Sequence, residues 1–412
     1  MLKLDEKFKK TFGEVFTPFE LVEEMLSKLP LEVWSNKDLK WVDPACGTGN
    51  FLLVVRDRLM KGLENVIVDE TEREKWILEE MLHGVDLQER NIILCKLRLD
   101  FGHQYKLNVE THDSLTFDFW RMKFDVVVGN PPYQAPQEAT GKRGGGDQLW
   151  DKFVDLCLDK LVADNGYLCF VHPAVWRKPL SAMWEKMSML QFLYLEIHDA
   201  KDGKKMFNAG TRYDFYVLQN KQCSEPTIVV DEDGHKSTVD FREWPWLPNG
   251  EFGLIRKILT INANESAGIL FSRGNYGSDR EWMSSNQDDG HPYPCVHTTA
   301  KSKGVICWWS SVNDKGFFGI PKVIFGDGGT AYPFIDLLGE YGMTQHAMAI
   351  PISNEKEAKL VEAAINTPAF QSVMTATKWS NFQIDWRMFK FFKKEWWKEF
   401  VSEPPSITED EN

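Results

Sequence analysis

Short β-branched or aromatic runs alternate along the first half of the chain with longer stretches whose apolar positions recur every three or four residues. That alternation is the pattern of a parallel sheet covered by helices. An amphipathic helix is predicted over about residues 19–29, with Thr17 as its N-cap, Pro18 at the first helical position and Glu20 in the first turn. A short strand over residues 39–42 comes next, and the apolar run 52–55 starts the next helix. A charged helix over about residues 70–82 leads into a strand at 83–86, and residues 90–99 form a further helix. Strands lie at 109–114 and 124–129, the second apolar on both faces as a buried parallel strand should be. The helix 149–162 carries apolar residues at 150, 153, 154, 157, 158 and 161, a single stripe. Asp164-Asn165-Gly166 turns into a strand at 167–171, and strands at 190–197 and 213–218 complete the alternation. Residues 227–230 and 238–241 flank Glu232-Asp233-Gly234 as a hairpin.

The pattern then changes. Trp244-Pro245-Trp246-Leu247-Pro248-Asn249-Gly250 breaks it, and the chain beyond residue 250 is rich in Gly, Trp and short strands, for example 304–309 and 322–325. A helix is expected at 358–364 and an aromatic-rich helix with a Lys face at 385–401. Residues 1–12 are Lys-rich, and the acidic tail 402–412 and the loop 134–147 have no periodicity. The 412 residues therefore suit two domains, 1–225 and 226–412, with the boundary somewhere in 220–250.

Charge narrows the choice of partners. The formal net charge is −13, and the acidic excess is shared: 29 basic against 35 acidic side chains in 1–220, and 19 against 26 in 221–412. Any nucleic acid must be held by a local basic cleft. Lys142 and Arg143 in the 134–147 loop are candidates for such contacts. The seven cysteines form no C-x-x-C pair, which argues against a zinc site or disulfide framework and fits a reducing compartment. No apolar run approaches membrane-spanning length. A cytoplasmic protein is expected.

Candidate chemistry gathers at the strand ends. The first strand runs into Asp43-Pro44-Ala45-Cys46-Gly47-Thr48-Gly49-Asn50-Phe51 and then a helix, the layout of a nucleotide-type cofactor turn. Gly47 and Gly49 permit close backbone approach. The turn lacks the third glycine of a dinucleotide fingerprint and the Lys-Ser/Thr of a phosphate loop. The second strand ends in Asp86, which suits either a ribose diol or a helix cap. The third ends in Asp113-Ser114 and the fourth in Asn130-Pro131-Pro132-Tyr133. Two prolines remove two N–H donors and stiffen the backbone, leaving carbonyls to accept. With the Asn amide and the Tyr ring they can grip a planar ring and its exocyclic amine, though Asn-Pro is also a common turn. Four polar strand ends at one sheet edge describe a ligand cleft. His172 reads as a satisfied turn residue.

With these motifs in view, the chain resembles the S-adenosylmethionine-dependent adenine-N6 DNA methyltransferases, in the γ arrangement of restriction–modification systems and phages. The resemblance is specific over about residues 1–220 and only positional beyond. It implies an α/β, Rossmann-like methyltransferase sheet with helices on both faces, followed by a mixed α+β target-recognition domain. Phe16-Thr17-Pro18 matches the motif over the methionine end of the cofactor, and Asp43, Pro44, Ala45, Gly47 and Gly49 match the methionine-binding turn. Asp86, with Leu87, matches the ribose-binding position. Asp113, with Ser114, matches the position beside the adenine ring of the cofactor. Asn130, Pro131, Pro132 and Tyr133 match the catalytic motif. Tyr213 stands where the family places an aromatic residue against a flipped base. The implied substrate is double-stranded DNA, in a bacterial or phage-infected cell, with a restriction endonuclease as a potential partner and no metal requirement. Protein-glutamine and RNA-adenine methyltransferases share the four-residue motif, but the first class has no use for so large a C-terminal part. Cytosine-N4 enzymes mostly carry Ser at the Asn130 position. A non-catalytic DNA-binding module is at odds with an intact cofactor turn, and no Pro-Asp followed by Glu-x-Lys nuclease pattern precedes residue 13.

Overall fold

The computed structural model describes residues 16–116, 122–135, 148–300, 304–328, 332–380 and 383–401. The expectations for residues 1–12, for most of the 134–147 loop including Lys142 and Arg143, and for the tail 402–412 fall outside them. The chain divides into two units, residues 1–176 with 182–244, and residues 177–181 with 245–412.

The first unit is built on α1 (Phe19–Leu26), β1 (Trp41–Asp43), α2 (Asn50–Gly62), α3 (Glu70–Trp76), β2 (Leu82–Asp86), α4 (Glu89–Leu99), β3 (Asn108–Thr111), β4 (Phe124–Gly129), α5 (Trp150–Leu156) and β5 (Val162–Pro173). Then come α6 (Ala182–Met187), β6 (Leu190–His198), α7 (Ala200–Phe207), β7 (Tyr213–Gln222), β8 (Thr227–Val230) and β9 (Lys236–Val239). The nine strands form one sheet in the order β3-β2-β1-β4-β5-β7-β6-β8-β9. β1, β2, β3, β4 and β5 pair in parallel, and β7 inserts antiparallel between β5 and β6. Chain order reverses between β1 and β4, which opens a crevice at their carboxyl ends. Both faces are covered. Val126 and Val128 join the core beneath α1, α2 and α4. On the other face Trp150 of α5 stacks on His172, and Trp176 stacks on Phe192. Val126, Val127 and Val128 are all fully buried, which is why this strand reads as an unbroken apolar run.

Several boundaries move. Pro18, not Thr17, occupies the N-cap position of α1, and its carbonyl accepts from Leu21 and Val22 N–H, both at 3.1 Å. The expected turn at 164–166 lies inside β5, where Asn165 has φ 65° and the register slips from Phe124↔Val162 to Val126↔Tyr167. The expected hairpin, now β8 and β9, extends the first sheet. The first unit accordingly runs to Trp244. His172 is satisfied, its Nε2 lying 3.1 Å from Tyr216 Oη.

The second unit carries α8 (Phe252–Ile258), β10 (Met283–Ser284), β11 (Tyr293–Ala300), β12 (Gly304–Ser310), β13 (Lys322–Gly326), β14 (Phe334–Asp336), β15 (Gly342–Met343), β16 (Ala347–Pro351), α9 (Glu355–Ile365) and α10 (Pro368–Ala376). Its strands form two sheets, β10-β12-β11-β15 and β14-β13-β16. A buried ion pair links Lys322 to Asp336 at 2.6 Å, with the Phe317 and Ile320 carbonyls accepting the other ammonium protons. The segment 177–181 belongs here because buried Arg177 donates to the Leu247 and Pro248 carbonyls and to Asn249 Oδ1. The expected helix over 385–401 is two short turns, Trp386–Phe391 and Trp396–Glu399. Between them Lys393 N–H donates to the Ile258 carbonyl at 2.8 Å. Met388, Phe389, Phe392, Trp396 and Trp397 are all buried, so tertiary packing overrides the helical pattern.

Candidate active site

The carboxyl ends of β1, β2, β3 and β4 open onto one cavity of about 350 Å³. Asp43, Asp86, Asp113 and Asn130 all line it, as do Phe16, Thr17, Pro44, Ala45, Gly47, Leu87, Ser114, Pro131 and Pro132. This volume lies within the range of about 300–1,000 Å³ usual for small-molecule sites. Among the described residues, Pro18, Gly49, Tyr133 and Tyr213 of the expected set are not part of its lining.

The turn after β1 is built by hydrogen bonds to its carboxylates. Asp43 Oδ1 accepts from Ala45 N–H at 3.0 Å, and Asp86 Oδ2 accepts from Gly47 N–H at 3.0 Å. Asp86 Oδ1 also accepts from Gln88 N–H and from Asn91 Nδ2, so it holds the start of α4 while facing the cavity. The helix-capping reading of Asp86 is therefore met, by a carboxylate that also lines the cavity. The two glycines separate. Gly47 has φ 51°, and a Cβ there would meet nothing within 4 Å, so it leaves open space at the cavity. Gly49 has φ 87°, and a Cβ would come within 2.6 Å of Cys95 Sγ. It is a glycine for its backbone conformation and for packing on α4, not for ligand approach. Ser114 Oγ donates to the Pro44 carbonyl at 2.5 Å, tying the third strand end to the first.

Electrostatics single out Asp43. It is 1 % exposed. Burial, opposed by the Ala45 N–H and reinforced by nearby Asp86, pushes its pKa up to about 8. A buried carboxyl is costly when ionised, so it keeps its proton near neutral pH unless a cation lies beside it. The backing is tight, since a Cβ on Gly129 would lie 2.7 Å from Asp43 Oδ1.

Asn130 comes directly after β4, and its Nδ2 donates to Thr17 Oγ1 at 3.0 Å. Tyr133 is half-buried, and its hydroxyl has no hydrogen-bond partner among the described residues. Burial, with Asp214 nearby, raises that hydroxyl well above the usual phenol range. Tyr133 O accepts from Leu149 N–H at 3.1 Å, and Gln134 bridges Gln148, so the base of the following loop is closed.

Tyr213 corrects the expectation for the base-facing aromatic. Its ring is fully buried, stacks on His198 at 4.4 Å, and its hydroxyl donates to Asp202. Phe207, at the end of α7, is the partly exposed ring, edge-on to Tyr133 at 6.4 Å and to Tyr213 at 4.9 Å. Sequence reasoning missed Phe207, and also Asn50, Asn91, His112 and Phe153, which line the cavity. Asn50 was legible as the residue opening the helix after Gly49; the rest depend on how α4, β3 and α5 approach the sheet edge.

The fold's features fit S-adenosylmethionine. The open face at Gly47, the strand-end carboxylates and the cavity volume suit an adenosine joined to a charged amino-acid tail. The model of the N-6 DNA Methylase family matches residues 1–158. An uncharacterized adenine-specific methylase of Mycoplasma pneumoniae is 28 % identical, over 40 % of this chain and 55 % of that protein. The EcoEI type I restriction enzyme methylase subunit of Escherichia coli is 26 % identical, over 73 % of this chain and 51 % of the subunit. The chain thus spans about half the length of these two relatives. Among solved structures, the type IIL restriction–modification enzyme MmeI in complex with DNA shares the fold at TM-score 0.58 and 12 % identity, covering 97 % of this chain and 69 % of that one. The likeness to the N-6 DNA Methylase family thus lies in residues 1–158 of this chain.

Proposed function

We propose that the chain is an S-adenosylmethionine-dependent DNA methyltransferase that methylates N6 of an adenine flipped out of the duplex. The observation that carries this reading is the meeting of Asp43, Asp86, Asp113 and Asn130 at one cavity with the two prolines of the catalytic motif. The bound cofactor supplies an electrophilic methyl group on a sulfonium sulfur. Asp86, with Leu87, is the ribose-binding position, and Asp113 and Ser114 lie beside the adenine ring. Phe16 and the backbone of Thr17 lie at the methionine end, which Asp43, Pro44, Ala45 and Gly47 receive. Asp43 meets the positive charge there and gives up its proton, which turns a burial cost into attraction.

On the substrate side the Asn130 side-chain oxygen and the Pro131 carbonyl accept the two N6 hydrogens. That would leave lone-pair density on N6, and the methyl group would pass directly to it, the N6–carbon bond forming as the sulfur–carbon bond breaks with its electron pair left on sulfur and one N6 proton leaving to solvent, with no covalent enzyme intermediate. The protein contributes position and electrostatics. Tyr133 stacks on the flipped base, with Phe207 as the second ring, and this offsets part of the few kcal/mol that flipping costs. Residues 245–412, with 177–181, form the target-recognition unit, and Lys142 and Arg143 contact the DNA backbone. Support comes from the names of the relatives and from MmeI having been solved with DNA. Among the described residues no helix is long and apolar enough to cross a membrane. That is in keeping with action on DNA in a bacterial or phage-infected cell, alongside a restriction endonuclease.

The test is transfer of a tritiated methyl group from S-adenosylmethionine to duplex DNA, comparing the wild type with Asn130→Ala. Transfer should vanish in the variant while the cofactor dissociation constant, from calorimetry, stays within about threefold. A variant as active as the wild type would remove Asn130 from the chemistry.

A further inference from the structure

We infer that Thr17 is a positioning residue for the Asn130 amide, holding it through its hydroxyl. The inference rests on the transfer reaction proposed above. Thr17 is free for this role because α1 begins one residue later than its sequence pattern predicts: Pro18 takes the N-cap position, and no side chain caps the helix. The Thr17 hydroxyl therefore serves no helix end. It accepts from Asn130 Nδ2 at 3.0 Å across 113 residues of chain.

Thr17 is itself braced. Arg98 of α4 donates to the Thr48 carbonyl at 2.6 Å, to Thr48 Oγ1 at 3.0 Å and to Asn50 Oδ1 at 2.9 Å. Asn50 Nδ2 then donates to the Thr17 carbonyl at 2.8 Å. The orientation of the Asn50 amide is unambiguous, because a guanidinium can only donate and a carbonyl can only accept. A second face of the brace is packing, since Arg98 lies over the Phe19 ring at 5.6 Å. The chain of contacts runs from the cofactor turn, through the N-terminal motif, to the catalytic amide.

The physical consequence concerns freedom of rotation. The terminal torsion of Asn is broad and nearly two-fold, so an amide without a fixed partner turns easily. The β-branched side chain of Thr has a stiff first torsion. With its carbonyl held by Asn50 and its side chain buried, Thr17 offers an oxygen in one direction only. Holding Nδ2 there fixes the plane in which the other end of the amide presents itself to the reacting amine. Removing the hydroxyl leaves Asn130 in place but takes this anchor from its Nδ2, which costs turnover before it costs binding.

The experiment compares full-length Thr17→Val and Thr17→Ser with the wild type. It measures kcat, KM for duplex DNA, S-adenosylmethionine affinity by calorimetry, and thermal unfolding. Val keeps the shape of Thr and removes the hydroxyl; Ser keeps the hydroxyl. Thr17→Val should lower kcat by about tenfold or more, with cofactor affinity and KM within about threefold, and Thr17→Ser should recover most of the loss. A wild-type kcat in Thr17→Val overturns the inference. So does a loss lying wholly in cofactor affinity, which makes Thr17 a cofactor contact, or a Ser variant as impaired as Val, which makes bulk the cause. A wild-type chain that binds S-adenosylmethionine but methylates no DNA overturns the functional reading and this inference with it.

Discussion

Replacing Asp43 by Asn should remove a pH dependence of stability that burial imposes on the first unit. The folded-state pKa is raised by burial from 3.8 to about 8. The folded chain therefore keeps a proton that the unfolded chain has already lost anywhere between those values. Raised above its unfolded value, this carboxyl makes stability fall as pH rises through that window, the reverse of a salt-bridged Asp. One proton of difference gives a slope of about 1.4 kcal/mol per pH unit. Between about pH 5.5 and 7.5, both inside the window, the wild type should lose roughly 2.7 kcal/mol through this group. Asn retains an oxygen for the Ala45 N–H and has no proton to lose. Urea denaturation of both proteins at the two pH values, without cofactor, isolates the effect, because every other titrating group is common to both. The stability gap in favour of the variant should widen by about 2–3 kcal/mol from the lower pH to the higher. A gap constant to within about 0.5 kcal/mol would refute the reasoning. It would mean that Asp43 is solvated or paired in the folded chain.

Two further positions and one control probe the neighbourhood. Asp86→Ala should weaken S-adenosylmethionine binding by about tenfold or more, measured calorimetrically. It should also lower stability, because Gly47 N–H, Gln88 N–H and Asn91 Nδ2 lose their acceptor. An unchanged dissociation constant would leave Asp86 as the anchor of α4 alone. Phe207→Ala should reduce methyl transfer by about tenfold, the low end of what one lost base-stacking ring costs. Tyr213→Phe should leave transfer near the wild-type rate and lower the unfolding temperature, since it removes only the bond to Asp202. The opposite ranking of these two variants in a transfer assay would restore Tyr213 as the base-facing ring.

The first unit was legible along the chain because β1 and β4 are short and buried on both faces, and helices follow β1, β2 and β4. Each strand end carries a residue that a buried edge tolerates only when its polar atoms are used. Asp43, Asp86, Asp113 and Asn130 were readable for that reason, and they meet at one cavity. The second unit was harder. Its strands are two to eight residues long and pair in two separate sheets. β11 and β12 pair as sequence neighbours, but β10 with β12, β11 with β15 and β13 with β16 pair across intervening strands, which no local period announces. The aromatic segment at 386–399 shows the difficulty: a helical spacing of rings is packed as two short turns because the core, not the backbone preference, takes the rings.

What the sequence determined by itself is therefore the order of strands and helices to about residue 171, the strands from there to 240 without the helices 182–187 and 200–207 between them, the polar residues at four strand ends, and the family likeness they carry. These come from local pattern, since periodicity and turn residues act over a few positions. What only the tertiary structure decided is which of those residues face the same space. Gly47 opens on the cavity while Gly49 packs on Cys95. Phe207, not Tyr213, stands partly exposed beside Tyr133. Thr17 leaves the helix end to hold Asn130. In each case the deciding neighbour lies tens of residues away, and only the folded chain brings it within van der Waals or hydrogen-bond distance.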